Sequence, residues 1–398
     1  MTEHIVVVGH GMVSHRFVST LGSRYADTDL AVTVIGEEPD PAYDRVGLSA
    51  YVGAWDRGAL HLEDALHAAD PRVTVRSGRL VTAIDRPARQ VELDSGERIP
   101  YDTLVLATGS RAFVPPVPGH DLPDCHVYRT LDDLDAIRAA AETAGPGAHG
   151  VVIGGGLLGI EAADALSLIG LTPHIVERND RLMPVQVDGR GGDLLCDLIR
   201  DRGIDVHLRV TETVIEPRDG ADGAGLADGA GGVRVILTGD DGETTAVEAA
   251  VVVFSVGVRP RDELARGAGL AVAERGGVLT DRACRTSDPH VFAIGECAAI
   301  EGTCYGLVGP GYASAEVVAS RLGDGPGADA EFSGADLATK LKLMGVDVAS
   351  FGDAHGRTPG CLEVVVDDPV TRTYSKLVLG DDALTLLGGV FVGDAGPY

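Results

Sequence analysis

Positive charge is scarce in this chain. Lysine occurs only at Lys340, Lys342 and Lys376, and 33 cationic residues face 60 acidic ones, for a net charge of −27. Such a surface repels nucleic acid and anionic membranes, so neither is expected as a partner. Aromatic residues make up only 4% of the chain, with one tryptophan, Trp55. No apolar run approaches the roughly 18 residues that a membrane-crossing helix needs. The apolar start, Ile5–Val8, is too short for a secretory signal because Gly9, His10 and Gly11 follow at once. The six cysteines, Cys125, Cys196, Cys284, Cys297, Cys304 and Cys361, include no C-x-x-C pair. These absences predict a soluble protein of the reducing cytoplasm.

What the chain does have is glycine in two fingerprints. With 398 residues, 44% of them hydrophobic, it is long enough for two or three domains with buried cores. The apolar run Ile5–Val8 reads as a buried parallel strand and leads into Gly9-His10-Gly11-Met12-Val13-Ser14. A helix from Met12 and a strand Ala31–Ile35 ending at Glu37 and Glu38 complete a βαβ unit. Glycines at such a turn let a pyrophosphate approach the helix N-terminus, whose free N–H groups and dipole bind anions. Ser14 replaces the third glycine and is small enough for helix–strand packing. The second fingerprint, Gly154-Gly155-Gly156-Leu157-Leu158-Gly159, is complete, and its βαβ unit ends at Glu177. A carboxylate there takes the 2′-hydroxyl of NADH and repels the 2′-phosphate of NADPH, although Arg178 beside it blunts that preference. Two such units predict two bound dinucleotides.

Further buried strands are expected at Asp102–Gly109, Val251–Gly257 and Val291–Glu296, and helices at Thr130–Glu142 and about Tyr312–Leu322. Pro115, Pro116 and Pro118 mark a domain crossing. Residues 219–232 read as a low-complexity hairpin tip and 323–330 as a linker. The stretches Cys361–Val366, Thr373–Leu379 and Leu384–Val392 alternate as an antiparallel meander.

Beyond the fingerprints stand Ala107-Thr108-Gly109 and Ala293-Ile294-Gly295-Glu296. With them the chain resembles the two-dinucleotide-fold flavoprotein reductases, the class that includes ferredoxin reductases. Within that class it is most similar to the N-terminal flavin module of the large subunit of assimilatory NAD(P)H nitrite reductase. The stretches 41–49 (PAYDRVGLS), 155–159 (GGLLG), 181–184 (RLMP), 305–311 (YGLVGPG) and 340–348 (KLKLMGVDV) carry the resemblance across nearly the whole chain. It implies an α/β fold with two Rossmann-like, glutathione-reductase-like domains and a small C-terminal α+β domain. Residues 1–118 and 245–325 would bind FAD, 119–244 NAD(P)H, and 326–398 would form the β-meander domain.

The resemblance also implies roles. Gly9, Gly11, Met12, Ser14, Glu37 and Glu38 would hold the adenosine diphosphate of FAD, and Arg45 would neutralise its pyrophosphate. Ala107, Thr108, Gly109 and Gly295 would line the flavin, Glu296 would take the ribitol, and the helix near Gly311 would stabilise the reduced ring. NADH, in preference to NADPH, would lie on Gly154, Gly156, Leu157, Leu158 and Gly159, with Glu177, Arg178 and Gly257 around it and Glu161 at the nicotinamide carboxamide. Ala50 stands where the class often has a lysine near the flavin. No cysteine precedes Cys125, which excludes the thiol relay of the disulfide reductases. Cys297 and Cys304 fit no iron–sulfur or zinc spacing and are expected in the core. The cysteines of the iron–sulfur and sirohaem regions of nitrite reductase are absent, which leaves the electron-input half. The expected activity is hydride transfer from NADH to FAD, with electrons passed to a separate redox-partner protein. Direct reduction of a nitrogen oxide or nitro compound is the alternative, and a non-turning-over scaffold or sensor a third. A homodimer through the C-terminal meander is compatible with all three.

Overall fold

The computed structural model describes residues 2–24, 29–62, 70–218, 231–322, 327–334, 338–343 and 345–396. The α-helices among them are α1 (Met12–Arg24), α2 (Leu48–Ala54), α3 (Leu131–Ala144), α4 (Leu157–Leu168), α5 (Gly189–Arg200), α6 (Glu263–Gly267) and α7 (Val308–Arg321). The chain divides into two compact units. The first comprises Met1–Gly47, Asp56–Arg111 and Val258–Asp336, the second Leu48–Trp55, Ala112–Gly257 and Leu337–Tyr398.

The first unit is built on a five-stranded parallel sheet in the order Val291–Ala293, Thr103–Leu106, Glu3–Val8, Leu30–Ile35, Val73–Arg76. Its central strand is apolar at every position from Ile5 to Val8 and buried on both faces, as a parallel sheet covered by helices requires. Helices α1 and α7 pack on one another and bury Phe17, Val318 and Ala319. Val8 stands opposite both Ile35 and Leu106, so three strands end level and their following loops meet at one edge. Helix α7 starts four residues before the expected Tyr312. Pro310 falls within its first turn, where the missing N–H of proline has no helical partner to lose.

The second unit holds a mixed sheet ordered Asp205–His207, Thr172–Val176, His149–Ile153, Thr244–Phe254, Val233–Gly239, Val210–Pro217, with Cys125–Val127 also paired to Thr244–Phe254. The first four run parallel and the last two close an antiparallel hairpin. Of the expected hairpin tip, residues 219–230 lie outside the described residues, as do 323–326 of the expected linker. Strand Thr244–Phe254 serves both halves: its exposed start belongs to the hairpin, and its buried end, Val251–Phe254, pairs with Gly150–Ile153. The expected domain limit at 244/245 falls within this continuous strand, and 245–257 lie in the second unit. A fully buried parallel strand carries no mark of which sheet it will join.

The C-terminal strands form a five-stranded antiparallel sheet in the order Thr339–Leu343, Val346–Gly352, Leu386–Val392, Thr373–Leu379, Leu362–Asp368. It belongs to the second unit because its buried face is fixed to α5. Asp188 caps that helix, accepting from the Gly191 N–H at 3.1 Å, the Tyr374 hydroxyl at 2.7 Å and the Lys376 ammonium at 2.8 Å. Helix α2 joins the same unit by docking on α4, with the Tyr51 hydroxyl donating to Asp135 at 2.6 Å and Arg138 stacked over Trp55 at 4.4 Å.

Candidate functional site

In each unit the predicted residues gather at the carboxyl ends of the parallel strands, where open α/β sheets bind ligands. In the first unit, Gly9 follows its strand with φ +112°, and a Cβ there would lie 2.1 Å from the Ala107 carbonyl oxygen. Only glycine fits. A Cβ on Gly11 would meet nothing within 4 Å, so this side of the turn is open to a ligand at the start of α1. Ser14 is buried and its hydroxyl donates to the Gly11 carbonyl at 2.8 Å, which explains how serine serves in place of the third glycine.

At the same edge stand the loops after the neighbouring strands. Thr108 donates its hydroxyl to the Arg261 carbonyl at 2.6 Å, and Gly109 adopts φ +66°. Glu296 accepts from the Ser110 hydroxyl at 2.8 Å, and the Gly295 N–H donates to Ser314 of α7 at 3.1 Å. Gly311 lies so close to Val13 that a Cβ would approach it to 2.7 Å, holding α7 against α1. Glu37 pairs with Arg261 at 2.5 Å, and Glu38 accepts from Arg45 at 2.6 Å and from Tyr43 at 2.7 Å. Arg45, expected at a pyrophosphate, is thus held by Glu38 and stacked over the Tyr43 ring at 4.7 Å. Arg261 was missed in the sequence, because its contact with Glu37 joins segments far apart in the chain.

In the second unit, Gly154 has φ +116°, and a Cβ there would lie 2.3 Å from the Ser255 carbonyl oxygen. Gly156 is the N-cap of α4, with no side chain capping the helix, and a Cβ on it would meet nothing within 4 Å. The free N–H groups of that turn are the cradle a pyrophosphate fits. Gly159 packs the helix onto its strand, its would-be Cβ only 1.9 Å from the Gly154 carbonyl oxygen. Leu157 is half-buried and Leu158 is exposed beside the cradle. Glu177 is buried. One carboxylate oxygen accepts from the Gly155 N–H at 2.8 Å, the other from the backbone and side-chain N–H groups of Asn179 at 2.8 and 2.6 Å. Its position ties the glycine turn to the end of the neighbouring strand, while Arg178 is exposed. Gly257, with φ +101°, accepts from the Phe113 N–H at 2.9 Å.

Glu161, on α4, is the most perturbed carboxyl of this unit: burial, then the charge of Asp164 one turn on, pushes it up to about 7. Tyr128 is buried near it and its phenol is also pushed up, by burial above all. Nothing in the local sequence around Tyr128 announces this neighbour.

Burial pushes Cys125 up to about 11 and Cys284 up to about 12, and Cys297 is fully buried, its thiol directed at the Ile294 carbonyl. Cys304, expected in the core, is exposed; it follows a turn whose backbone leaves its side chain at the surface. No group of three or more ligating side chains suited to a metal ion exists among the described residues.

Residues 3–319 match the family of pyridine nucleotide-disulphide oxidoreductases, and residues 338–398 match the C-terminal domain of rubredoxin NAD+ reductase. The chain belongs to the pyridine nucleotide-disulphide oxidoreductase family. It is an NAD(P)H-dependent flavoprotein oxidoreductase, with FAD and a pyridine nucleotide as cofactors. Among its relatives is the large subunit of the NAD(P)H nitrite reductase of Klebsiella oxytoca, 47% identical over 99% of this chain and 39% of that protein. The ferredoxin–NAD+ reductase component of the biphenyl dioxygenase system of Paraburkholderia xenovorans is 34% identical over 75% of this chain and 68% of its own. A ferredoxin reductase from Rhodopseudomonas palustris, 29% identical, superposes with a TM-score of 0.79 over 100% of this chain and 92% of its own. The chain spans 39% to 44% of the two bacterial nitrite reductase large subunits from Klebsiella oxytoca and Escherichia coli.

Proposed function

We propose that the chain is the electron-input module of a larger redox system: it oxidises NADH at the second unit's cradle, reduces FAD held by the first, and passes electrons to a separate redox-partner protein. The observation that carries this reading is the repetition, in two units, of one arrangement. Each has a parallel strand, a glycine turn in the left-handed region at Gly9 or Gly154, a helix N-terminus beyond it, and a carboxylate at the end of the next strand, Glu37 or Glu177. FAD and NADH supply the hydride and electron chemistry.

The chain's own residues bind and orient. Gly9, Gly11, Met12 and Ser14 form the first cradle, with Glu37 and Glu38 at its adenosine end. Arg45 would have to leave Glu38 to neutralise the pyrophosphate. Ala107, Thr108 and Gly109, with Gly295, Glu296 and Gly311, line the other strand ends. Gly154, Gly156, Leu157, Leu158 and Gly159 form the second cradle, and Glu177 favours the ribose hydroxyl of NADH over the phosphate of NADPH. Gly257 gives the chain its turn beside that cradle. Glu161, five residues into α4, would meet the nicotinamide half, and Glu177 the adenosine half.

The identity of the acceptor is a finer proposal. The relatives that reduce ferredoxins support a protein acceptor. The direct reduction of a nitrogen oxide rests on the likeness to nitrite reductase subunits, of which this chain spans less than half. Anaerobic titration with NADH and with NADPH, followed by candidate acceptors, tests the proposal. Bleaching of the flavin by NADH, with sustained turnover only when an acceptor protein is added, is expected. Turnover with nitrite alone would replace the partner reading, and a flavin that neither nucleotide bleaches would refute the whole.

A further inference from the structure

The C-terminal sheet has two edges of opposite character. One, Thr339–Leu343, carries Lys340 and Lys342, two of the chain's three lysines, and lysine is the residue that best blunts an open strand edge. The other, Leu362–Asp368, is a seven-residue strand without lysine, proline or glycine, and it pairs with Thr373–Leu379 without a bulge. Among the described residues its backbone bonds to that neighbour alone, so the N–H and C=O groups along its free side stand open. Its side chains are open as well: Leu362, Val364, Val365 and Val366 are 45, 49, 49 and 60% exposed. Leu362, Val364 and Val366 stand opposite Leu379, Leu377 and Ser375, on the face turned away from α5. Glu363, Val365 and Asp367 stand opposite Val378, Lys376 and Tyr374, on the face toward α5, where Tyr374 meets Asp188 and Gly191. On that face Glu363 is matched by Lys376 at 3.3 Å and Asp367 by Arg190 of α5. The acids of the strand are neutralised within the chain and do not guard its edge. A strand with free pairing groups and valine on both faces is a template for another strand.

We propose that Leu362–Asp368 pairs antiparallel with the same strand of a second copy, centred on Val364, and joins the two C-terminal sheets into one. The strand selects this occupant because it is complementary to itself. With Val364 on the two-fold axis, it meets its own mate, and Leu362 meets Val366 of the other copy on either side. These side chains share the face away from α5 and cover one another. On the opposite face Glu363 meets Val365 and Cys361 meets Asp367, so no two like charges stand directly opposite. A centre at Val365 would set Glu363 against Asp367, so charge fixes the register. Paired strands of this length bury less than the roughly 1,200 Å² of a standard interface, which makes the dimer weak, with a dissociation constant in the micromolar range.

Sedimentation of the FAD-loaded full chain from ~1 to ~200 μM tests this, and a concentration-dependent dimer is expected. Val364→Lys sets two ammonium groups against each other on the axis. It should raise the dissociation constant at least about tenfold while leaving the bleaching of the flavin by NADH unchanged. Val364→Thr keeps a strand-forming side chain and should weaken the dimer less, with circular dichroism confirming that both variants fold. Under mild oxidation Val364→Cys should form a disulfide between copies beyond the background of the native cysteines, because residues directly opposite on paired strands lie within disulfide reach. Val366→Cys, opposite Leu362 and not its own mate, should not. A chain that stays monomeric throughout, an unchanged dissociation constant in Val364→Lys, or equal cross-linking of the two cysteine variants overturns the proposal. So does a monomer whose Val364→Lys variant loses turnover with an acceptor protein, which would put that protein's strand on this edge.

Discussion

Three histidines cross the second unit's sheet in a line, and their protonation should govern its acid stability. His149 Nδ1 lies 2.8 Å from His174 Nε2, and His174 Nδ1 lies 3.1 Å from His207 Nε2. A neutral imidazole has one donor and one acceptor, so three neutral rings pair head to tail. Two adjacent protonated rings would set donor against donor across the contact they share. His174, 7% exposed, is pushed down to about 4 by burial first, then by His207, with Asp205 opposing and His149 adding to the shift. His207 is also lowered, by burial and by Arg200. The unfolded chain binds protons below its ordinary histidine value of about 6.5, while the folded one resists them down to about 4, so stability falls as pH drops through that window. For His174 alone the loss relative to pH 7.5 is about 1.4 kcal/mol at pH 5.5 and about 2.5 kcal/mol at pH 4.5. Trp55 lies in the same unit, so its fluorescence in urea titrations follows the relevant transition. His174→Gln, which keeps a donor and an acceptor, should be less stable than the parent at pH 7.5. Its stability should then fall between pH 7.5 and 4.5 by about 2 kcal/mol less. Parallel pH profiles for the two proteins would refute this account of the ladder.

Gly159→Ala places a methyl 1.9 Å from the Gly154 carbonyl, so α4 must lift from its strand. NADH affinity should fall at least about tenfold, equivalent to ~1.4 kcal/mol, with the flavin spectrum retained because the Gly9 turn lies in the other unit. Glu177→Gln keeps one acceptor, for the Gly155 N–H or for the Asn179 N–H groups but not both, and removes the charge that repels a 2′-phosphate. The ratio of kcat/KM for NADPH over NADH should rise about tenfold, and an unchanged ratio would remove Glu177 from the specificity argument. Lys376 is buried between Asp188 at 2.8 Å and Glu363 at 3.3 Å. Lys376→Met strips the counter-ion from the α5 cap and should cost about 3 kcal/mol, read as a lower urea midpoint.

The sequence disclosed those parts of this protein that are local, and missed those that depend on distant contact. The strand–turn–helix units at Gly9 and Gly154 were legible because a buried run of Val and Ile, a left-handed glycine and an acidic strand end all lie within one short segment. Ser14 was readable as a tolerable replacement, although its bond to the Gly11 carbonyl was not. The strand Val251–Phe254 was also visible, but nothing in four apolar residues tells which parallel sheet will take it. The domain limit was misplaced for that reason. The same limitation hid Arg261 from Glu37, Lys376 from Asp188, and Tyr128 from Glu161. In each case a charge or hydroxyl finds its partner through tertiary packing. The acid stability of the sheet has the same origin, since His149, His174 and His207 become one titrating unit only because three parallel strands set their rings in a row.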